Sequence, residues 1–264
     1  MAVNSEERAF RAWPVLTNCA TNHQTITYGD LAIALNIHHR AVAHVLGWIQ
    51  QYCIDEHLPP LTILVVNKKA GIPGSGFIAT ANLGTGSHNV YHYNWNNLGN
   101  PFDYAALGDT IESLAQKLIA TPTLGASVFA QVKVRGPAQA IFRKVLMNVY
   151  QGECAFCRLS FEEALEAAHI IPWSEATSQQ RLDPSNGLLL CSTHHKLFDT
   201  GYITLDLTGK VASYDPLGLN GPYSKVDSDV LNGQHGQRAN LPIAVQHQPS
   251  SQALAHHHAR FNLP

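Results

Sequence analysis

The sequence predicts an α+β chain in two parts, a winged helix at the N-terminus and a C-terminal part clasped by cysteine and histidine. Three observations carry that prediction. Apolar residues recur at helical spacing through residues 4–50 and are followed by two short extended runs. A second helical pattern, Ala138 to Tyr150, leads into a stretch dense in Cys, His and Asn. In that stretch a C-x-x-C and a C-x-x-H are separated by thirty-three residues, from Cys157 to Cys191.

Taken in order, Asn4 followed by Glu7 reads as a capping box, and Phe10, Trp13, Val15 and Leu16 give the first helix an apolar side. Pro14 should kink that helix or end it nearby. Thr27 and Asp30 open a second helix bearing Leu31, Ile33, Ala34 and Leu35. A third runs from about His38 to Gln51, with Val42, Val45, Leu46 and Ile49 inside. Pro59 and Pro60 break the chain before a strand at Leu61 to Val66. A turn-rich loop with Lys68 and Lys69 follows, and Phe77 to Ala81 is the expected returning strand. Residues 82–100 show no clean period and are expected to be a long loop. Helices are expected again at Asp109 to Ile119 and Ala138 to Tyr150, the latter with Phe142, Val145, Leu146 and Val149 inside. The tail from 217 to 264 reads as loop with a short helix near Ser250 to Phe261.

Composition narrows the function classes. Of the 264 residues 45% are apolar and only 14% charged, enough to bury a core and too few charges for a disordered chain. A formal charge of −2 excludes a uniformly basic nucleic-acid coat but permits a local basic face. No apolar run is long enough to span a membrane, and residues 1–11, with Glu6, Glu7 and Arg8, do not read as a secretory signal. The expectation is a soluble, cytoplasmic protein. Five cysteines, an odd count, argue against a complete disulfide framework, and Cys19 and Cys53 read as buried small hydrophobes.

The N-terminal runs Ile26-Thr27-Tyr28-Gly29-Asp30-Leu31-Ala32, Arg40-Ala41-Val42, Leu58-Pro59-Pro60 and Val65-Val66-Asn67-Lys68 resemble the DNA-binding domain of alkylguanine alkyltransferases. The resemblance implies a winged helix whose third helix enters the minor groove and whose arginine, here Arg40 or a neighbour, supports a flipped base. The family's reactive Pro-Cys-His-Arg segment falls where this chain reads Leu61-Thr62-Ile63-Leu64, so the nucleophilic thiol is missing. What is left would be a reader of DNA. Lys68 and Lys69 would neutralise phosphates, giving affinity without base information; His38 and His39 read as surface histidines at a helix start.

Cys154, Cys157, Cys191 and His194 offer three thiolates and an imidazole, the donor set of a closed structural Zn2+ site. A redox dithiol would open a helix after a strand in a thioredoxin-like unit, and no such unit follows. The site must therefore clasp an insertion. Within and just after it stand Ala168-His169-Ile170-Ile171-Pro172-Trp173, Asn186-Gly187-Leu188-Leu189-Leu190 and His195-Lys196-Leu197-Phe198-Asp199. These resemble the HNH endonucleases, in the branch with His-Ile-x-Pro, Asn-Gly-Leu-Leu-Leu and His-x-x-Phe-Asp. The lead-in (Gln139, Phe142-Arg143, Tyr150) and the tail (Ala239-Asn240-Leu241-Pro242, Pro249-Ser250, Leu254 to Phe261) match that branch too. The triple His256-His257-His258 falls in this tail and reads as native.

The resemblance implies a zinc-stabilised ββα-metal (HNH) domain that hydrolyses phosphodiesters and leaves a 5′-phosphate. His169 would be the general base. Asn186 would hold its loop and orient the His169 ring, or else approach the metal. His195 and Asp199, four apart on a helix, would share one face and hold a catalytic divalent ion, Mg2+ or another. Many HNH nucleases place a ligand just before the base, where this chain has Ala168; Glu163 and Glu166 are the neighbours that could compensate. Lys133, Arg135, Arg143, Lys144 and Arg158 against Glu153 give a local balance of +4, a phosphate-contacting face in which Arg143 and Lys144 are the DNA-binding candidates.

The expected organisation is a winged-helix, alkyltransferase-like domain over 1–100, a helical connector over 101–132, and the HNH domain with its C-terminal extension over 133–264. The expected substrate is DNA, double-stranded, with no membrane partner. Cutting both strands with one active site per chain would require a homodimer, for which the sequence has no signature. A reader joined to a nuclease suggests restriction or phage defence, triggered by modified bases. The rival readings are a zinc-stabilised DNA-binding protein with a degenerate site, motivated by Ala168, a damage-recognition repair nuclease, and an RNase.

Overall fold

Asn4 starts the first helix because its side chain accepts the otherwise unpaired Glu7 N–H at 2.9 Å. The computed structural model describes residues 4–79, 82–132 and 134–263. They form a helix-rich α+β structure of two compact units, Met1–Thr110 with Gln131–Pro137, and Ile111–Ala130 with Ala138–Pro264. No described helix is long and apolar enough to cross a membrane.

In the first unit α1 (Ser5–Thr21) runs through Pro14 without ending there. Ala9, Ala12, Trp13, Leu16 and Ala20 are buried along it, and that continuous stripe outweighs one lost backbone hydrogen bond. Trp13 meets Tyr52, Trp95 and Phe102 edge-on, with centroids 5.5, 5.8 and 6.2 Å away. The two-residue β1 (Ile26–Thr27) precedes α2 (Tyr28–Ala34), whose N-cap Thr27 accepts from the Asp30 N–H at 3.1 Å as expected. After a 3-10 turn at His39–Ala41, α3 (Val42–Asp55) buries Val42, Val45, Leu46, Ile49, Tyr52 and Cys53.

The expected strand at Leu61 to Val66 is mostly a 3-10 turn, Leu61–Leu64, with only β2 (Val65–Val66) extended. All four turn residues are buried, so no alternation of faces is available to a half-exposed strand. β2 pairs in parallel with β1 and not with a following hairpin strand. Residues 77–79 carry no strand, and Thr80 and Ala81 of the expected wing lie outside the described residues. The loop expected at 82–100 instead contains α4 (Leu83–His92), capped by Asn82 at 3.0 Å from the Thr85 N–H. Gly84 and Gly86 lower its helix propensity, and burial of Val90 and Trp95 holds it.

Next come α5 (Ile111–Ala120) and α6 (Gly125–Val132), then α7 (Arg135–Val149), which buries Ile141, Phe142, Val145 and Leu146. Lys133 lies outside the described residues. In the second unit β3 (Leu165–His169) and β4 (Gly187–Cys191) form an antiparallel hairpin, with Leu165 opposite Cys191 and His169 opposite Gly187. A Cβ at Gly187 would lie 2.6 Å from the Phe142 ring, so the close approach of α7 to the hairpin requires glycine there. β4 leads directly into α8 (Ser192–Asp199). A second hairpin follows, β5 (Ile203–Leu205) with β6 (Val211–Ser213), then α9 (Lys225–Leu231) and α10 (Ser251–Phe261), capped by Ser250. Neither the second hairpin nor α9 was expected.

Candidate active site and metal centre

Cys154 and Cys157 lie in a tight turn beyond α7, closed by the Cys154 N–H donating to the Leu159 carbonyl at 2.9 Å. Arg158 takes a left-handed conformation there (φ 60°). Cys191 ends β4, and His194 sits in the first turn of α8. The four ligand atoms lie within 4.8 Å of one another. Cys154 Sγ is 3.7 Å and Cys191 Sγ 3.2 Å from His194 Nδ1, and Cys157 Sγ is 3.9 Å from Cys191 Sγ. Thiolates about 2.3 Å from a tetrahedral Zn2+ stand about 3.8 Å apart, so the cluster has the size of a zinc site and is too open for a disulfide. His194 Nε2 lies 3.3 Å from the Val230 carbonyl, the outer hydrogen bond that presents Nδ1 to the cluster. Hydrogen bonds from Cys157 and Cys191 hold the Cys154 thiol well below its usual range. Burial opposes charge on His194, but its hydrogen bonds with Cys154 and Cys191 raise it to about 10. The donor set fits Zn2+.

His169 stands at the end of β3 with its ring stacked on Phe142, centroids 3.9 Å apart and planes 13° off parallel. Trp173 meets the same ring edge-on at 5.7 Å. His169 Nε2 is 3.0 Å from the Arg181 carbonyl oxygen. A carbonyl only accepts, so Nε2 carries the proton and the neutral ring's lone pair is on Nδ1. The Arg181 guanidinium lies over Trp173 and Phe129, 5.0 and 5.2 Å from the ring centroids, which holds this wall of aromatic residues together.

On α8, His195 bridges two carboxylates. Its Nδ1 is 2.5 Å from Glu166 Oε2 and its Nε2 is 3.4 Å from Asp199 Oδ2. Glu166 and Ala168 are two residues apart on β3 and so share a face, which brings a carboxylate to the helix although position 168 has none. Burial opposes ionisation of Glu166, but hydrogen bonds from Ser192 and His195 outweigh it and lower its pKa. Two carboxylates and an imidazole suit a divalent cation by donor type. Among the described residues, however, only the Cys3His set has three or more ligand atoms already converged.

Asn186 is buried, accepts from the Ile171 N–H at 2.8 Å and donates to the Ile171 and Gln180 carbonyls. It thus fixes the loop that follows the His169 strand, at Ile171 and again at Gln180. Arg143 donates to the Glu162 and Leu165 carbonyls, at 3.0 and 3.3 Å, and borders a cavity of 240 Å3 with Gln139, Phe142, Glu166, Ala167 and His169. Lys144 is paired with Glu112 at 2.9 Å. In the first unit Arg40, Lys68 and Lys69 are all exposed, Arg40 in the 3-10 turn before α3 and the lysines in the loop after β2. Phe142 and Arg181 were not identified as site residues from sequence. Phe142 looked like core, and Arg181 acts through its backbone.

Residues 154–206 match the family model described as HNH endonuclease. No curated protein matches the chain. Among solved structures, the chain is similar to one titled "Modification dependent TagI restriction endonuclease", with 20% identity and a TM-score of 0.29, over 46% of this chain and 36% of that one. The matched family segment contains all four zinc-type ligands together with Glu166, His169, Asn186, His195 and Asp199. Residues 154–206 carry an HNH endonuclease domain.

Proposed function

We propose that this chain is a nuclease that hydrolyses phosphodiester bonds of double-stranded DNA, with His169 as general base, and that residues 1–100 read the DNA that residues 133–264 cut. The observation that carries the reading is the setting of His169. Its ring is clamped by Phe142, its Nε2–H is committed to the Arg181 carbonyl, and it borders one cavity with Arg143 and Glu166. Nδ1 would take the proton from the attacking water. Arg143 would meet the phosphate through guanidinium N–H groups beyond the pair it gives to Glu162 and Leu165. Asn186 would keep the loop from Ile171 in place as the substrate enters. Glu166, His195 and Asp199 would hold a divalent ion, with His195 giving up one of its two carboxylate contacts. Such an ion supplies charge neutralisation on the phosphate and stabilises the departing oxygen. The product would be a 5′-phosphate.

The reader is proposed as a winged-helix-like module over 1–100, with Arg40, Lys68 and Lys69 on phosphates and residues 101–132 as connector. Support comes from a cavity of 260 Å3 lined by Tyr28, Leu46, Gln50, Thr62 and Gly74 to Phe77. The Thr62 hydroxyl is buried there with no hydrogen-bond partner. Thr62 falls within the segment where the alkyltransferases have their reactive Pro-Cys-His-Arg, so this cavity would hold a base without reacting with it. A restriction or defence role, triggered by modified bases, follows from joining such a reader to a nuclease. The test is cleavage of matched plasmids, unmodified and base-modified, by wild-type and His169→Ala protein with Mg2+ or EDTA. Cutting that is lost with EDTA and with the substitution is expected, and preference for the modified plasmid supports the reader. Binding of both plasmids without cutting would overturn the catalytic reading in favour of a DNA-binding protein with a degenerate site.

A further inference from the structure

The proposed chemistry uses few of the fifteen histidines, and three of the others gather in the first unit. His88 and His92 stand one turn apart on α4, both exposed, with rings stacked at 4.0 Å between centroids and 19° between planes. His92 Nδ1 lies 2.8 Å from the His88 carbonyl oxygen, so Nδ1 donates and the lone pair is on Nε2. A metal-binding histidine is oriented in the same way, with its second ring nitrogen tied to an acceptor. His23, in the turn after α1, lies 5.7 Å from the His92 ring and is itself stacked on Tyr91 at 4.9 Å.

We propose that His88 and His92, joined by His23, form a second, surface site for a borderline transition-metal ion such as Zn2+ or Ni2+. Imidazoles four apart on a helix share a face, so binding the ion to one presents the other at high effective concentration. Nitrogen donors select Zn2+, Ni2+ or Cu2+ over Mg2+ and Ca2+, which take oxygen. The three ligand atoms are not yet converged, and the site closes by rotation of the exposed His23 side chain. Closure would tie the turn after α1 to α4, adding to the stacking of His23 on Tyr91.

The experiment is calorimetric titration of the full chain, preloaded with one Zn2+, with Ni2+ at pH 7.5. The double variant His88→Ala/His92→Ala should lose one Ni2+ equivalent relative to wild type, and His23→Ala should weaken that equivalent by about tenfold. His44→Ala, at an exposed site on α3, should change nothing. The C-terminal histidines are present in every protein and cancel. Equal stoichiometry in wild type and double variant would overturn the site, as would the same loss in His44→Ala, which would indicate unspecific imidazole binding.

Discussion

Glu166 on β3 reaches across to His195 on α8, with carboxylate oxygen and Nδ1 2.5 Å apart, which puts a carboxylate against this helix although position 168 is alanine. The contact depends on strand geometry. Residues 166 and 168 share a face, and the long glutamate side chain covers the distance that alanine at 168 cannot.

If Glu166 is part of the hydrolytic site, Glu166→Ala should lower the cleavage rate by about a hundredfold or more, on the scale of losing one electrostatic contact in a transition state. Glu166→Asp should retain part of the rate. Single-turnover cleavage beside a thermal melt checks this, since a fold defect would appear in the melt. Full activity in Glu166→Ala would show that the contact with His195 is not used in catalysis.

His169→Ala should remove the general base and cost about 10²–10⁴ in rate. Phe142→Leu should cost far less, because the stacked ring only orients the imidazole and leucine retains much of the packing. A ring held in place this way affects kcat more than KM, so an increase in KM alone for Phe142→Leu would contradict the orienting role.

Arg143→Ala should raise KM and flatten the salt dependence of DNA binding, whereas Lys144→Ala should do little. Arg143 borders the His169 cavity and meets the Glu162 carboxylate only at 3.8 Å, whereas Lys144 is paired with Glu112 at 2.9 Å and borders no part of that cavity. Binding curves at two salt concentrations separate the two. Equal effects would mean that the phosphate-contacting face extends beyond the cavity.

Metal analysis should find about one Zn2+ per chain held by Cys154, Cys157, Cys191 and His194. Because the ion joins the Cys154 turn to the junction of β4 and α8, strong chelation should lower the melting temperature of the second unit sharply. Cys191→Ser should reproduce that loss without chelator. A zinc-free protein with an unchanged melt would remove the structural site.

Much of this site was legible in the sequence because its parts are local. Cys154 and Cys157, Cys191 and His194, and His195 and Asp199 are pairs set by turn and helix spacing, and His169 precedes its proline on a short strand. What was not legible depends on register and packing. Glu166 reaches His195 only through the fold of β3 against α8, and Arg181 contributes a carbonyl that any residue could offer. In the first unit, α4 was hidden by Gly84 and Gly86, and the expected strand at 61–66 failed because Leu61 to Leu64 are all buried, packed against α1, α3 and α4. The capping residues Asn4, Thr27 and Ser250 were readable, since each acts on backbone three residues away.

His257 makes a further prediction, on pH. Its ring is buried, stacked on Phe198 at 3.9 Å, with Nε2 3.0 Å from the Phe198 carbonyl and Nδ1 3.1 Å from the Thr204 hydroxyl. The neutral ring satisfies both partners, Nε2–H donating and Nδ1 accepting from the hydroxyl. Burial disfavours the charged form and pushes the pKa down to about 4, from an ordinary value near 6.5. Between those values the unfolded chain binds a proton that the folded chain does not. The contribution of His257 is therefore complete above about pH 6.5 and is lost as pH falls towards 4, by up to about 3 kcal/mol. Urea unfolding at pH 7.5 and pH 5.0 should show wild type losing more stability than His257→Gln, which has no titrating group there. Equal losses would mean that the pH dependence lies elsewhere and that this ring is not the group that resists protonation.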